Sequence, residues 1–232
     1  QSHKEHLKEA AFDGTLQHFA QPPQVMACAP GRLEILGNHT DYNEGLVLSA
    51  AVNRWTVFAA VAQGGKQSRI IDLDRMRRAE FSLDSLGDPV PGEWSNYVKG
   101  VILALQHRGV TVEGFDACLV GNVPLSAGMS SSASFEMSVV KTLAHLGQAR
   151  LDWRELAQIG CEAENNYVGA NTGLLDQFSS LRGKSGHFVF SDFRSYDVKA
   201  IPVPDSAALV VANTGVTHTL TGEYNTRRQR CE

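Results

Sequence analysis

The sequence predicts an α+β fold. Short β-branched and apolar runs crowd the first third of the 232 residues, helical spacing takes over near residue 94, and the later strands and helices mix without a strict strand–helix repeat. A hydrophobic content of 43% with 20% charged residues supports a sizeable core in one large domain or one and a half.

Each element has its own signal. Leu7, Phe12, Leu16 and Phe19 give helical spacing over residues 4–19, and Gln21-Pro22-Pro23 stops that helix. Residues 25–29 and 33–36 read as short strands on either side of a Pro30-Gly31 turn, and residues 46–52 and 55–62 as two more. Gly64-Gly65 marks a turn, and residues 69–73 and 79–83 alternate weakly, like an antiparallel edge. A Pro/Gly-rich connection at 87–92 leads into a helix over about 94–106. Residues 115–120 form a strand that feeds a small-residue loop, followed by a helix over 135–146. A long helix over 152–167 has Asp152 as its N-cap and Trp153, Leu156, Ile159 and Ala163 on its inner face. Strands follow at 187–190 and 207–212, and a helix begins near Thr221.

Composition removes several function classes. A net charge of −4 gives no electrostatic footing for nucleic acid, and Arg75, Arg77 and Arg78 form only a brief basic run. No apolar stretch approaches the roughly 20 residues that span a bilayer, so no membrane partner is expected. The first ten residues lack an apolar run of the secretory type. Cys28, Cys118, Cys161 and Cys231 are scattered, which fits reduced thiols in a cytoplasmic protein.

Residues 123–134 are the most informative stretch: Val-Pro-Leu-Ser-Ala-Gly-Met-Ser-Ser-Ser-Ala-Ser. A small-residue loop that opens a helix gathers bare backbone N–H groups at the positive end of the helix dipole, which suits phosphate. An ordinary capped helix has the same look. It is not a P-loop, because the lone Gly-Lys-Ser at 183–185 has Phe178 where the leading glycine belongs. A second segment, 31–42, packs Arg32, Glu34, Asn38, His39, Asp41 and Tyr42 together. An amide, an imidazole and a carboxylate within four residues suit the vicinal hydroxyls of a sugar, although a polar turn would also use Asn38 and Asp41. In the third, Glu164 lies on the long helix and Asp176 follows it in Asn171-Thr172-Gly173-Leu174-Leu175-Asp176-Gln177. Phosphoryl transfer needs a phosphate cradle, Mg²⁺, a proton acceptor and a nearby cation, and Ser132, Glu164, Asp176 and Arg32 are of the types to supply them.

Together these segments resemble the galactokinase branch of the GHMP kinase superfamily. The resemblance rests on Ala29-Pro30-Gly31-Arg32 through His39-Thr40-Asp41-Tyr42-Asn43, on the loop at 124–134, and on Glu93-Trp94-Ser95-Asn96-Tyr97-Val98-Lys99-Gly100-Val101. It extends to Gly173-Leu174-Leu175-Asp176-Gln177-Phe178 and to the segment from Glu223 and Tyr224 to Cys231. It implies the GHMP-kinase N-terminal lobe (ribosomal protein S5 domain 2-like) over residues 1–205, with a truncated second lobe beginning over 206–232. It implies an ATP-dependent sugar 1-kinase, most readily a galactokinase, with ATP as substrate and Mg²⁺ as cofactor. Asp176 would accept the proton of the anomeric hydroxyl, and Arg32 beside it would stabilise charge in the transition state. Asn38, His39, Thr40, Asp41, Gly173 and Tyr224 would line the sugar pocket. Ser126, Ala127, Gly128, Met129, Ser130, Ser131 and Ser132 would wrap the nucleotide phosphates, with Trp94 and Tyr97 on the adenine side. Ser132 and Glu164 would hold Mg²⁺.

The chain departs from the family pattern at two positions. It has Glu34 where the family has asparagine, and Asn38 where the family has a glutamate that accepts a hydrogen bond from a hydroxyl at the far end of the hexose. Asparagine is shorter, neutral, and donates as well as accepts. A C1 kinase for L-arabinose or a modified hexose is therefore an alternative, as is a non-catalytic galactokinase-like sugar sensor. The retained Ser132-Ala133 pair, with Asp176 and Arg32, favours catalysis.

Overall fold

The computed structural model describes residues 2–212, 215, 228 and 230. Its helices are α1 (His3–Phe19), α2 (Asn96–His107), α3 (Ser131–Leu146), α4 (Trp153–Ala163) and α5 (Leu175–Arg182). Its strands are β1 (Val25–Leu36), β2 (Leu46–Ala62), β3 (Gln67–Asp72), β4 (Arg77–Ser82), β5 (Phe115–Gly121), β6 (His187–Asp192) and β7 (Asp197–Pro202). The strands form one mixed sheet in the order β4-β3-β5-β2-β6-β7, with β1 also paired to β2. The α+β expectation holds.

β2 is the spine of the sheet. Val57 and Ala59 pack with Leu7 and Ala11 of α1, while Phe58 and Ala60 join the larger core under the other helices. A strand covered on both faces reads as an unbroken apolar run, which is what residues 57–62 show. The two strands expected at 46–52 and 55–62 are in fact one. β6 pairs with residues 46–49 of β2 and β5 with residues 56–62. Asn53 and Arg54 lie between those partners and stay exposed, so their polarity mimics a turn.

β1 is likewise continuous. Pro30-Gly31 is a register irregularity in the ladder with β2, not a turn. A bulge suits a residue with no N–H to give. Gly31 is required by crowding: a Cβ there would sit 2.6 Å from the Met129 carbonyl oxygen and 2.9 Å from Val123.

Three further expectations change. The helix expected over 152–167 ends at Ala163 and continues as a π-helical turn, Glu164–Val168. Asn165 explains the widening, since its side chain donates to the Thr172 carbonyl at 3.1 Å and accepts from the Thr172 N–H at 2.8 Å. α3 begins at Ser131, four residues before its apolar pattern. Residues 207–212 form no strand and are exposed; Ala207 donates to the Pro204 carbonyl in a turn. Their β-branched content signals only compatibility with a sheet, and no described strand edge takes them. α5 and β7 have no counterpart in the sequence expectations. The helix expected near Thr221 lies outside the described residues, apart from helical positions 228 and 230.

The main core lies between the sheet and α2, α3 and α4, around Phe58, Phe115, Ile102, Leu105, Met137 and Leu143. Asp152 caps α4 with a full capping box, accepting from the Arg154 and Glu155 N–H groups while Glu155 accepts from the Asp152 N–H. Among the described residues no helix is long and apolar enough to cross a membrane.

Candidate active site

Arg32 stands on β1 just past the bulge, and Asp176 in the first turn of α5. The guanidinium donates from Nε to Asp176 Oδ1 at 2.8 Å and from Nη2 to the same oxygen at 2.6 Å. Its Nη1 donates to the Gly128 carbonyl at 2.6 Å, and the Arg32 N–H to the Met129 carbonyl at 3.1 Å. Ser130 then donates to Asp176 Oδ2 at 2.5 Å. Strand, helix and small-residue loop therefore converge on one carboxylate that is 22% exposed.

The loop has the backbone that this convergence needs. Ser126, Gly128 and Ser130 all have positive φ, and residues 125–128 are exposed. Ser130 occupies the N-cap position of α3 but makes no side-chain capping bond. Its hydroxyl goes to Asp176, so the N–H groups of Ser131, Ser132 and Ala133 keep the open valence that any helix start has. A reversed backbone curl at a helix start is an anion-binding geometry.

The 37–45 loop lies on the other side of Asp176. Asp41 is 9% exposed and accepts from the Leu175 N–H at 3.3 Å. Burial raises its pKa, and the Asp176 charge adds to that, against the lowering effect of backbone N–H groups. Gly173 packs directly on the Asp41 carboxylate, leaving no room for a Cβ. Thr40 fixes the loop, with its hydroxyl donating to the Gly37 carbonyl at 2.7 Å. His39 has φ 60° and hydrogen bonds through Nδ1 to the Tyr42 hydroxyl at 2.7 Å. Arg228 stacks its guanidinium 5.4 Å from the Tyr42 ring and donates to the Asn171 carbonyl at 3.1 Å. Asn38 is exposed. Tyr224 lies outside the described residues.

Behind Asp176 sits a buried carboxylate pair that the sequence reading only half anticipated. Glu164 is 3% exposed and accepts from the Thr172 hydroxyl at 2.8 Å, and the Ser132 side chain favours its charged form. Gln177 bridges it to Glu136, donating to Glu136 Oε2 at 3.1 Å and Glu164 Oε2 at 3.4 Å. Burial, helped by the Asp176 charge, pushes Glu164 up to about 7. Burial and the Glu164 charge hold Glu136 well above the usual carboxylate range. Glu136 was missed, yet a lone carboxylate inside the apolar run Phe-Glu-Met-Ser-Val-Val was a visible signal.

An oxygen-donor pair of one hydroxyl and one carboxylate suits Mg²⁺, which keeps several waters and takes phosphate oxygens as further ligands. The donor set fits that use: Glu164 is a buried carboxylate whose Thr172 and Gln177 contacts both go to Oε2. Among the described residues no group of three or more His, Cys, Asp or Glu is arranged to hold a metal without such outside ligands. Across α3, Trp94 stacks on Phe135 with ring centroids 6.3 Å apart and 28° between planes, and Tyr97 lies 6.0 Å from the same ring. The Arg77 guanidinium covers Trp94 at 5.1 Å.

Residues 96–184 match the GHMP kinases N terminal domain, and residues 16–62 match the galactokinase galactose-binding signature. A galactokinase from Lactococcus lactis, solved in complex with galactose, is 31% identical with a TM-score of 0.79, over 85% of this chain and 52% of that one. This chain belongs to the galactokinase family of GHMP kinases. It spans about half the length of the Lactococcus lactis protein. The mevalonate kinase of Methanococcus jannaschii shares the fold at 15% identity and a TM-score of 0.65, over 77% of this chain and 56% of that one. So does a D-glycero-D-manno-heptose 1-phosphate kinase from Bacteroides thetaiotaomicron, at 18% and 0.63, over 77% and 60%. The two family matches bracket the site: the galactose-binding signature contains Arg32 and the 37–45 loop, and the GHMP kinase domain the α3 loop, Glu164 and Asp176.

Proposed function

We propose that this chain carries the sugar- and nucleotide-binding lobe of an ATP-dependent sugar 1-kinase, with residues 1–205 forming that lobe and 206–232 opening a second. The observation that carries the reading is the three-way junction at Asp176, where Arg32 and Ser130 occupy its two oxygens beside an open helix start. Galactose is the first substrate to test, because the galactose-binding signature covers the 37–45 loop.

In this reading the sugar lies between the 37–45 loop and Asp176, with the ATP phosphates on the amides that open α3. Asp176 takes the proton of the anomeric hydroxyl as its oxygen attacks the γ-phosphorus. The bond from that phosphorus to the β–γ bridging oxygen breaks, and ADP leaves. Arg32 holds Asp176 in place and faces the charge that builds on the transferred group. Mg²⁺, when bound, neutralises phosphate charge, and Ser132 and Glu164 are the residues that would hold it. Trp94 and Tyr97 offer an aromatic surface for the base.

The test is ATP consumption and sugar phosphate formation by the complete protein across D-galactose, L-arabinose, N-acetylgalactosamine and 6-deoxy sugars. Sugar phosphate supports the reading. Sugar binding without turnover would make the protein a sensor, and no response to any sugar would end the proposal.

A further inference from the structure

The 37–45 loop supplies no carboxylate at position 38, but β1 supplies one at position 34. The ladder between β1 and β2 is regular from Arg32 to Glu34, pairing Arg32 with Ala51 and Glu34 with Ser49. Residues two apart on an uninterrupted strand share a face, and directly opposed residues share it too. That face looks at α5: Ser49 hydrogen bonds to Ser179 at 2.7 Å, and Ala51 packs under Gly183. α5 also carries Asp176. Glu34 therefore points to the same side as Arg32, into the site, and its carboxylate feels Arg32, Asp176, Asp41 and His39.

Glu34 is only partly buried and makes no hydrogen bond or ion pair with any described residue. Arg32, its nearest cation, is engaged by Asp176 and Gly128. An acceptor left open on the wall of a site is free for a ligand. Among the described residues Glu34, Asp41 and Asp176 bring three carboxylates to the site, against the Arg32 guanidinium already engaged by Asp176 and the Arg228 guanidinium stacked on Tyr42. A polyol satisfies such a wall by donating hydroxyl hydrogens. A carboxylated sugar would add a fourth negative charge to it.

We propose that Glu34 is a specificity-determining residue of the sugar site: its carboxylate accepts a hydrogen bond from a substrate hydroxyl and sets the site to take uncharged sugars and reject sugar acids. This rests on the sugar-kinase reading above. It moves the acceptor from the loop position 38 to the strand position 34, so the hydroxyl it serves lies deeper, on the β1 side.

The test is calorimetric binding of D-galactose, L-arabinose and D-galacturonate to the complete protein and its variants. The wild type should bind a neutral sugar at least tenfold more tightly than galacturonate. Glu34→Gln should narrow that ratio about tenfold or more. Glu34→Asp keeps the charge but shortens the reach, so it should keep the rejection while weakening the neutral sugar several-fold. ADP affinity, read on the same samples, reports whether each variant keeps the lobe intact. An unchanged ratio in Glu34→Gln overturns the proposal, as does a wild type that binds galacturonate as well as the neutral sugars, or that binds no sugar. Neutral-sugar binding without phosphate transfer sinks the kinase reading alone and leaves Glu34 measurable.

Discussion

Arg32 and Asp176, 144 positions apart in sequence, meet through two nitrogens on one carboxylate oxygen, and the other oxygen is left to Ser130. The pair ties β1 to α5 at the point where the small-residue loop arrives. If Asp176 is the proton acceptor, Asp176→Asn should lower turnover about 10³-fold while nucleotide affinity stays within a few-fold. Arg32→Ala should lower turnover about 10²-fold or more. Steady-state kinetics with a nucleotide titration checks both, and an active Asp176→Asn protein would remove the assignment.

Gly173→Ala should disturb Asp41 more than it disturbs the fold. A Cβ at 173 collides with the Asp41 carboxylate, which also holds the start of α5 through the Leu175 N–H. The expected cost is about 1–3 kcal/mol of stability, together with a raised KM for the sugar. Urea unfolding and sugar kinetics measure the two effects separately.

Trp94→Ala should weaken nucleotide binding about tenfold through loss of a stacked surface. Sugar affinity should not change, because Trp94 rests on Phe135 and under Arg77. Isothermal titration with ADP and with sugar distinguishes these. Equal losses for both ligands would show that the residue only supports the fold.

Two glutamates two positions apart should behave in opposite ways. Glu162 is 41% exposed and paired with Arg108 by two short hydrogen bonds. Glu162→Gln should cost no more than about 1 kcal/mol and leave turnover alone. Glu164 is raised in the folded protein from 4.5 to about 7, chiefly by burial. A carboxyl with a raised folded pKa binds more protons when folded, so it costs stability as pH rises through that interval and none below it. In chelator, Glu164→Gln should therefore gain on the wild type from about pH 4.5 to about pH 7. Thermal unfolding against pH reads that slope; a flat difference would show that Glu164 does not titrate there.

The sequence made some of this legible and hid the rest for identifiable reasons. Arg32 and Asp176 stood out as residue types, but no spacing rule connects positions that far apart, so their meeting needed the sheet. β2 was cut in two because Asn53 and Arg54 look like a turn when their only distinction is a gap between β6 and β5. Periodicity carried α4 past Ala163, where the side chain of Asn165 turns the backbone wider. α5 escaped because eight residues with serines at 179 and 180 give a weak helical pattern; those serines instead bond to Leu175 and to Pro30 across the sheet. Glu136 and Gln177 became a pair only once α3 and α5 were packed together.

The hydroxyl of Ser130 rests on Asp176 at 2.5 Å. That is an alcohol on a carboxylate, the same chemical encounter that a sugar would bring. If Asp176 accepts a sugar hydroxyl as proposed, Ser130 would compete for the same carboxylate, and arrival of the acceptor would then be felt directly in the loop that opens α3.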